Sequence, residues 1–278
     1  MSLHESFLVY RNLLYLKIAV LATGGAVVWY AIDAPRGVPS GSTWLGYTLG
    51  IVGAVLIVWL MLFGVRKRRY AAGEWRLEAW LSGHVYFGLA LAIIATLHTG
   101  FRFHWNIHTL AYVLMMAVIL SGFFGVYVYA RYPRLMTENR RGETLRAMLL
   151  KLADIDREAR AACLDLPDEF AAAVQISHKE SRIGGSVRRQ LSGVDPNCGT
   201  TRALKRVEEL AATVPAKLDV PVMRLRRELQ RKQALLGQIR RDLRYKALME
   251  IWLYAHVPLS FALLAALFAH IVSVFFYF

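Results

Sequence analysis

Cysteine is scarce in this sequence, and its scarcity excludes the metal and disulfide frameworks that depend on it. The 278 residues include two cysteines, Cys163 and Cys198, and neither has a second cysteine or a histidine at metal-ligand spacing. An internal iron–sulfur cluster and a zinc site of the usual kind are therefore excluded. We expect both cysteines to be reduced thiols.

Two further signals are missing. No glycine-rich loop follows a strand pattern, so we expect no flavin or nicotinamide domain. The first ten residues lack a basic region, and no small-residue cleavage pattern closes the first apolar stretch. We therefore expect this stretch to remain as a membrane anchor rather than to be removed as a signal peptide.

Charge is absent from long stretches of a chain that is otherwise strongly basic. Hydrophobic residues make up 56% of the chain, and the formal net charge is +14. Basic loops on one side of a bilayer account for that charge, so we expect membrane lipid and no nucleic acid as a partner. Five segments are long enough to cross about 30 Å of hydrocarbon. The predicted spans are 13–32, 44–65, 79–101, 107–130 and 251–278.

The basic segments predict the orientation of the spans. The link between spans two and three begins with four basic residues, Arg66 to Arg69, and residues 131–250 carry 25 Lys and Arg against 16 Asp and Glu. Both segments are expected in the cytoplasm, because positive loops stay inside. The N-terminus is then cytoplasmic and the C-terminus periplasmic, as in a multi-pass protein of a bacterial inner membrane.

The predicted fold is all-α: an integral membrane bundle of five transmembrane helices with a basic, helical cytoplasmic insertion. We divide the chain into spans one to four at 1–132, the insertion at 133–250 and span five at 251–278. Within the insertion, the spacing of apolar residues predicts a helix over about 143–162 and a long helix after Pro221. Residues 183–199 hold four glycines and a proline and are expected to form a loop.

Four histidines inside two predicted spans are the strongest functional signal. His84 and His98 lie 14 residues apart on span three, and His256 and His270 lie 14 apart on span five. Fourteen residues make almost four helical turns, so each pair occupies one face with a rise of about 21 Å. Spans three and five run in parallel, so His84 faces His256 near the inner side and His98 faces His270 near the outer side. Imidazole is an axial ligand of haem iron, and this pattern predicts two bis-histidine haems b.

This doubled pattern resembles the haem helices of cytochrome b in respiratory cytochrome bc complexes. It also resembles the membrane part of ferric reductases and NADPH oxidases, which hold two haems between their third and fifth helices. The resemblance covers about 79–130 and 251–278 and implies transmembrane electron transfer. The chain departs from the ferric reductase family in having five spans rather than six and no flavin domain, and from cytochrome b in lacking its quinol-site signature.

Other residues complete the predicted site. Gly88 supplies a gap on span three for a flat cofactor, and Arg102 is placed to bind an outer haem propionate. His104, Trp105 and His108 lie at the outward start of span four. They either cap that span and bond the propionates, or form part of a quinone site or a partner docking surface.

The functional prediction is transmembrane electron transfer by the membrane cytochrome b subunit of a larger redox complex. A cytoplasmic iron–sulfur or flavin subunit and a periplasmic cytochrome c or other carrier are the expected partners. One alternative is a quinol-oxidising or quinone-reducing subunit, with a quinone as an additional cofactor. Another is a haem-free transporter that uses the membrane histidines for protons or metal ions.

Overall fold

The computed structural model describes residues 7–33, 40–68 and 77–276, except the side chains of residues 66–68. The basic residues of the link at 69–76 lie outside the described residues. Within the described ranges the regular elements are a 3₁₀ turn at Phe7–Val9, a second at Ala216–Leu218, and ten α-helices. These helices are α1 Tyr10–Asp33, α2 Trp44–Arg68, α3 Leu77–Thr99, α4 Ile107–Arg140, α5 Leu145–Ala162, α6 Asp168–Glu180, α7 Val187–Ser192, α8 Gly199–Ala211, α9 Asp219–Ile251 and α10 Leu253–Phe276.

The prediction of an all-helical chain with five long apolar helices is confirmed. Helices α1, α2 and α3 are long and apolar enough to cross a membrane, as are the stretches Ile107–Ala162 and Ala216–Phe276, which contain α4 and α10. A multi-pass membrane protein follows from these five helices.

The chain divides into two compact units, Met1–Tyr127 with Trp252–Phe278, and Val128–Ile251. In the first unit, α3 packs closely against α1 and α2. A stack of the Trp59 and Trp80 rings, with centroids 5.1 Å apart, joins α2 to α3. The hydroxyl of Tyr86 donates a 2.8 Å hydrogen bond to the carbonyl of Leu8, which ties the start of the chain to α3.

The second unit is a helical domain with buried charges in its core. Thr144 caps α5 by accepting a hydrogen bond from the backbone N–H of Ala147, so this helix begins two residues later than predicted. The predicted loop at 183–199 contains the short helix α7, which Ser186 caps. The apolar seam of α9 is buried, and its members are Leu225, Leu229, Leu236 and Ile239.

Lys232 occupies the same seam and is 2% exposed. Its ammonium group donates to the carboxylate of Asp156 over 2.6 Å and to the carbonyl of Ser177 over 2.9 Å. Elsewhere in the unit, Arg140 forms a two-bond ion pair with the buried Asp242, with both distances 2.7 Å. A buried charge is tolerated when it is paired and hydrogen-bonded, and both Lys232 and Asp242 meet that condition.

The two cysteines are free and buried, and they belong to separate core clusters of this unit. Burial raises the pKa of the Cys163 thiol to about 11. Burial acts in the same direction on Cys198, but hydrogen bonds from Arg240, the Thr201 backbone and Ser181 outweigh it and lower that pKa.

Candidate functional site

Four half-buried histidines on two helices form the core of the candidate site. His84 and His98 lie on α3, and His256 and His270 lie on α10. The structure places all four in the first compact unit. The 14-residue interval puts the two histidines of each helix on one face and separates them by about 21 Å along its axis.

Both histidines of α3 are held by backbone carbonyls of α2. The Nδ1 atom of His84 lies 3.1 Å from the carbonyl oxygen of Leu60, and that of His98 lies 2.7 Å from the carbonyl oxygen of Gly46. A carbonyl oxygen only accepts hydrogen bonds, so Nδ1 carries the hydrogen in both rings. Leu60 and Gly46 are themselves 14 residues apart, as two antiparallel neighbouring helices require.

Both histidines of α10 are held by side chains of α4. The Nδ1 atom of His256 lies 2.7 Å from the Ser121 hydroxyl, which donates its own hydrogen to the carbonyl of Val118. The serine oxygen is therefore free to accept from Nδ1–H of His256. The Nδ1 atom of His270 lies 2.5 Å from the Nδ1 atom of His108, and one of these two nitrogens carries the hydrogen.

These bonds prepare the opposite ring nitrogen for a metal. When Nδ1 carries the hydrogen, Nε2 presents a bare lone pair, and the bond at Nδ1 fixes the ring orientation. Across residues 7–33, 40–68 and 77–276 no hydrogen bond reaches the Nε2 atom of any of the four rings. His84, His98 and His256 thus have the arrangement typical of metal-ligating imidazoles, and His270 has it when His108 accepts its Nδ1 hydrogen.

The outer level brings two of the predicted ligands together. The rings of His98 and His270 have centroids 6.0 Å apart and planes inclined at 84°. Two imidazoles on opposite sides of one metal, each bonded over about 2 Å, place their centroids about 6 Å apart. The spacing of this pair therefore fits axial ligation of one iron.

The inner level is lined by aromatic rings. His84 packs against Phe63 at a centroid distance of 5.0 Å, and His256 packs against Trp252 at 4.8 Å. The rings of His84 and His256 do not make the close ring contact that the outer pair makes in the described part of the chain.

Open space lies beside α3 at Gly88. The backbone of α3 packs tightly on α1 and α2 and makes fewer close contacts with α10 over their described lengths. A Cβ atom at Gly88, one turn after His84, would meet nothing within 4 Å. By contrast, α2 lies tightly against His98, because a Cβ at Gly50 would lie 2.8 Å from Cε1 of His98. Gly50 thus allows the His98 ring to lie against α2.

An apolar layer separates the two levels. Its buried members come from α2, α3, α4 and α10 and are Ile57, Leu91, Met115, Leu263 and Leu267. Leu91 lies seven residues from each histidine of α3, and Leu263 lies seven residues from each histidine of α10. The layer therefore falls midway between the two levels.

The remaining predicted residues lie in the loop before α4 and at the start of that helix. The side chains of Arg102, His104 and Trp105 are exposed, and the backbone N–H of His104 bonds to the hydroxyl of Thr109. The guanidinium of Arg102 has no partner among the described residues and is available to an anion. His108 is exposed as well, and its ring lies against that of His270 at a centroid distance of 4.6 Å.

The donor set fits a haem better than a bare metal ion. In the described part of the chain, no cluster of three or more His, Cys, Asp or Glu side chains is arranged to hold a metal. A haem would supply four equatorial nitrogens itself and would need two axial imidazoles, and the His98–His270 pair of the outer level has the spacing for them.

Several residues that contact the four histidines were not predicted from the sequence. Ser121 is a hydroxyl within an apolar span, and a polar group in such a place is a signal of helix–helix bonding. Gly46 and Gly50 form a small-residue pair one turn apart on α2, which is a signal of close helix approach. The carbonyl of Leu60 could not be found from the sequence, because every residue has a backbone carbonyl whatever its side chain is.

Comparison of the chain with models of protein families, with curated proteins and with solved structures gives no match.

Proposed function

We propose that this chain carries electrons across a membrane through two haems b, as the membrane cytochrome b subunit of a larger redox complex. His84 and His256 would hold the inner haem, and His98 and His270 the outer one. Each haem iron, when bound, supplies a one-electron carrier whose two axial positions are filled. The protein's part is to place the two irons and to keep both closed to other ligands.

The single observation that carries the proposal is the anchoring of four Nδ1 atoms. The groups that contact Nδ1 of His84, His98 and His256 can only accept a hydrogen bond. Nδ1 of each of these rings therefore carries the hydrogen, and Nε2 is free of it. A histidine used as a structural hydrogen-bond donor between helices has no need for this uniform arrangement. Its repetition at 14-residue intervals on two helices favours metal ligation at two levels.

The apolar layer favours electrons over protons as the transported species. A proton relay needs a continuous series of hydrogen-bonding groups, such as Asp, Glu or His. Between the two histidine levels, the layer around Leu91, Met115 and Leu263 offers hydrocarbon. Electrons tunnel through packed hydrocarbon, whereas protons do not cross it.

The proposal includes an orientation. The positive-inside rule places the basic unit Val128–Ile251 in the cytoplasm and the loop containing Arg102 in the periplasm of a bacterial inner membrane. The cytoplasmic unit would then dock a soluble iron–sulfur or flavin subunit. A cytochrome c or another periplasmic carrier would meet the outer level.

A dithionite-reduced minus oxidised optical spectrum of the purified chain, with a pyridine haemochrome count, tests the proposal. We expect two low-spin haems b per chain. A colourless protein that is well folded by circular dichroism contradicts the proposal. That result would favour proton or metal transport by the same histidines.

Gly50 offers a test that leaves every ligand in place. Replacement by valine puts a side chain where a Cβ alone would lie 2.8 Å from the His98 ring. The ring must move, and the bond from Nδ1 to the Gly46 carbonyl, worth about 1 kcal/mol net, is lost with it. We expect the Gly50→Val chain to retain less of one haem than of the other, as measured by haem content after detergent dilution.

Gly64→Val is the matched control on the same helix, since a Cβ at Gly64 meets nothing within 4 Å. This variant should keep both haems. Equal haem loss in the two variants would show that the effect arises from α2 in general rather than from contact with His98.

A further inference from the structure

The partner of His270 differs in kind from the partners of the other three histidines. Leu60 and Gly46 offer carbonyl oxygens, and Ser121 offers an oxygen whose hydrogen is already donated. His270 meets a second imidazole, that of His108, over 2.5 Å. His108 belongs to the first turn of α4 and is not itself one of the four proposed ligands.

We propose that His108 is a positioning residue for the outer haem, which it controls by accepting the Nδ1–H hydrogen bond of His270. This inference rests on the proposed function, because it takes His270 as an axial ligand. The shared hydrogen could sit on Nδ1 of His270 or on Nδ1 of His108, and a ligand role for His270 requires that it sit on His270. If His108 donated to Nδ1 of His270, the hydrogen of neutral His270 would sit on Nε2 and block the iron.

The consequence is a different electronic environment at the two levels. An imidazole nitrogen is a stronger acceptor than a serine hydroxyl oxygen, so His108 draws the Nδ1 hydrogen of His270 further than Ser121 draws that of His256. A ligand whose hydrogen is drawn away donates more electron density through Nε2 and favours the oxidised iron. Among the described residues no carboxylate hydrogen-bonds to the ring of His108 or His270, so His108 alone provides this effect.

The contact also fixes the orientation of the His270 ring. The His108 and His270 rings meet edge-on at 87°, and the His270 plane is inclined at 84° to that of His98. The electron paramagnetic resonance spectrum of a low-spin ferric haem depends on the angle between its two axial ring planes. A change in that spectrum therefore reports on positioning rather than on folding.

The experiment compares three substitutions in the full chain, purified with its haem. His108→Leu removes the acceptor, and His108→Asn restores one, because Oδ1 of asparagine overlays the position of Nδ1 in histidine. His178→Leu is the matched control, since His178 is also an exposed histidine and lies outside the first compact unit. Haem content, a redox titration and the paramagnetic resonance spectrum are recorded for each variant.

For His108→Leu we expect one of the two haems to be reduced more easily, by about tenfold in its reduction equilibrium, which is about 59 mV for one electron. The resonance signal of that haem should shift, and the second haem should be unchanged. The His108→Asn and His178→Leu chains should behave as the unsubstituted chain does. If His108→Leu instead loses one haem while His108→Asn keeps both, the acceptor role is equally supported.

Two haems with unchanged potentials and signals in His108→Leu would overturn the role of His108 and leave the proposed function standing. Equal effects of His108→Leu and His108→Asn would also overturn it, because the acceptor would then be irrelevant. The absence of haem from the unsubstituted chain is a different result and overturns the proposed function itself.

Discussion

Replacing His98 with leucine is expected to lower the haem content of the purified chain from two haems to one. His98 and His270 lie 6.0 Å apart by ring centroid, so the loss of either ligand opens the same iron. Removal of a group that merely supports a metal ligand costs about 10- to 100-fold in affinity, and removal of the ligand itself costs more. The pyridine haemochrome count gives the result directly.

Combinations of substitutions test the assignment of ligands to levels. His98→Leu with His270→Leu should still leave one haem, because both residues serve the outer level. His98→Leu with His256→Leu should leave none. A chain that keeps one haem after the second combination would contradict the pairing, as would a folded His98→Leu chain without haem. His178→Leu is the control and should keep two haems.

The five long helices could be predicted because their signal is local. The length of an uncharged apolar run can be read directly from the sequence and compared with the thickness of a membrane. At most of the helix ends, the predicted spans and the observed helices therefore differ by only a few residues. The exception is α4, which continues to Arg140 although the apolar run ends near residue 130. A helix continues past the apolar run because its backbone hydrogen bonds do not depend on hydrophobicity.

The four histidines could be predicted from spacing, but their hydrogen-bond partners could not. The partner of His98 is a backbone carbonyl, and any residue at position 46 would provide one. Which carbonyl is used depends on how α2 and α3 align, and that alignment is set by packing around Trp59 and Trp80. His108 was predicted as a member of an outer surface group, whereas the structure places its ring against His270.

The buried lysine of α9 shows the same division between local and long-range signals. Its position on an apolar seam is visible in the sequence, and the structure places it at 2% exposure. The carboxylate that pairs with it belongs to Asp156, 76 residues earlier on α5. Only the packing of α5 against α9 brings the two together, and no pattern within either helix reports that contact.

Replacing Asp156 with alanine is expected to destabilise the unit Val128–Ile251 by about 3–5 kcal/mol. The ammonium group of Lys232 would lose its 2.6 Å ion pair and keep a single acceptor, the Ser177 carbonyl, inside the core. An unpaired charge in such a place costs far more than the pair itself contributes. Amide hydrogen exchange along α5 and α9 in the full chain measures the loss as faster exchange.

The matched control is Glu208→Ala, which removes the carboxylate of the exposed Glu208–Arg226 ion pair. The distance of that pair is longer, 3.2 Å, and both side chains are about half exposed, so its loss should cost at most about 1 kcal/mol. A second variant, Asp156→Ala with Lys232→Met, removes the charge together with its partner. Because methionine suits an apolar seam position, this double variant should recover most of the protection lost in Asp156→Ala. If the double variant exchanges as fast as Asp156→Ala, the loss comes from packing around Asp156 and the buried charge is not its cause.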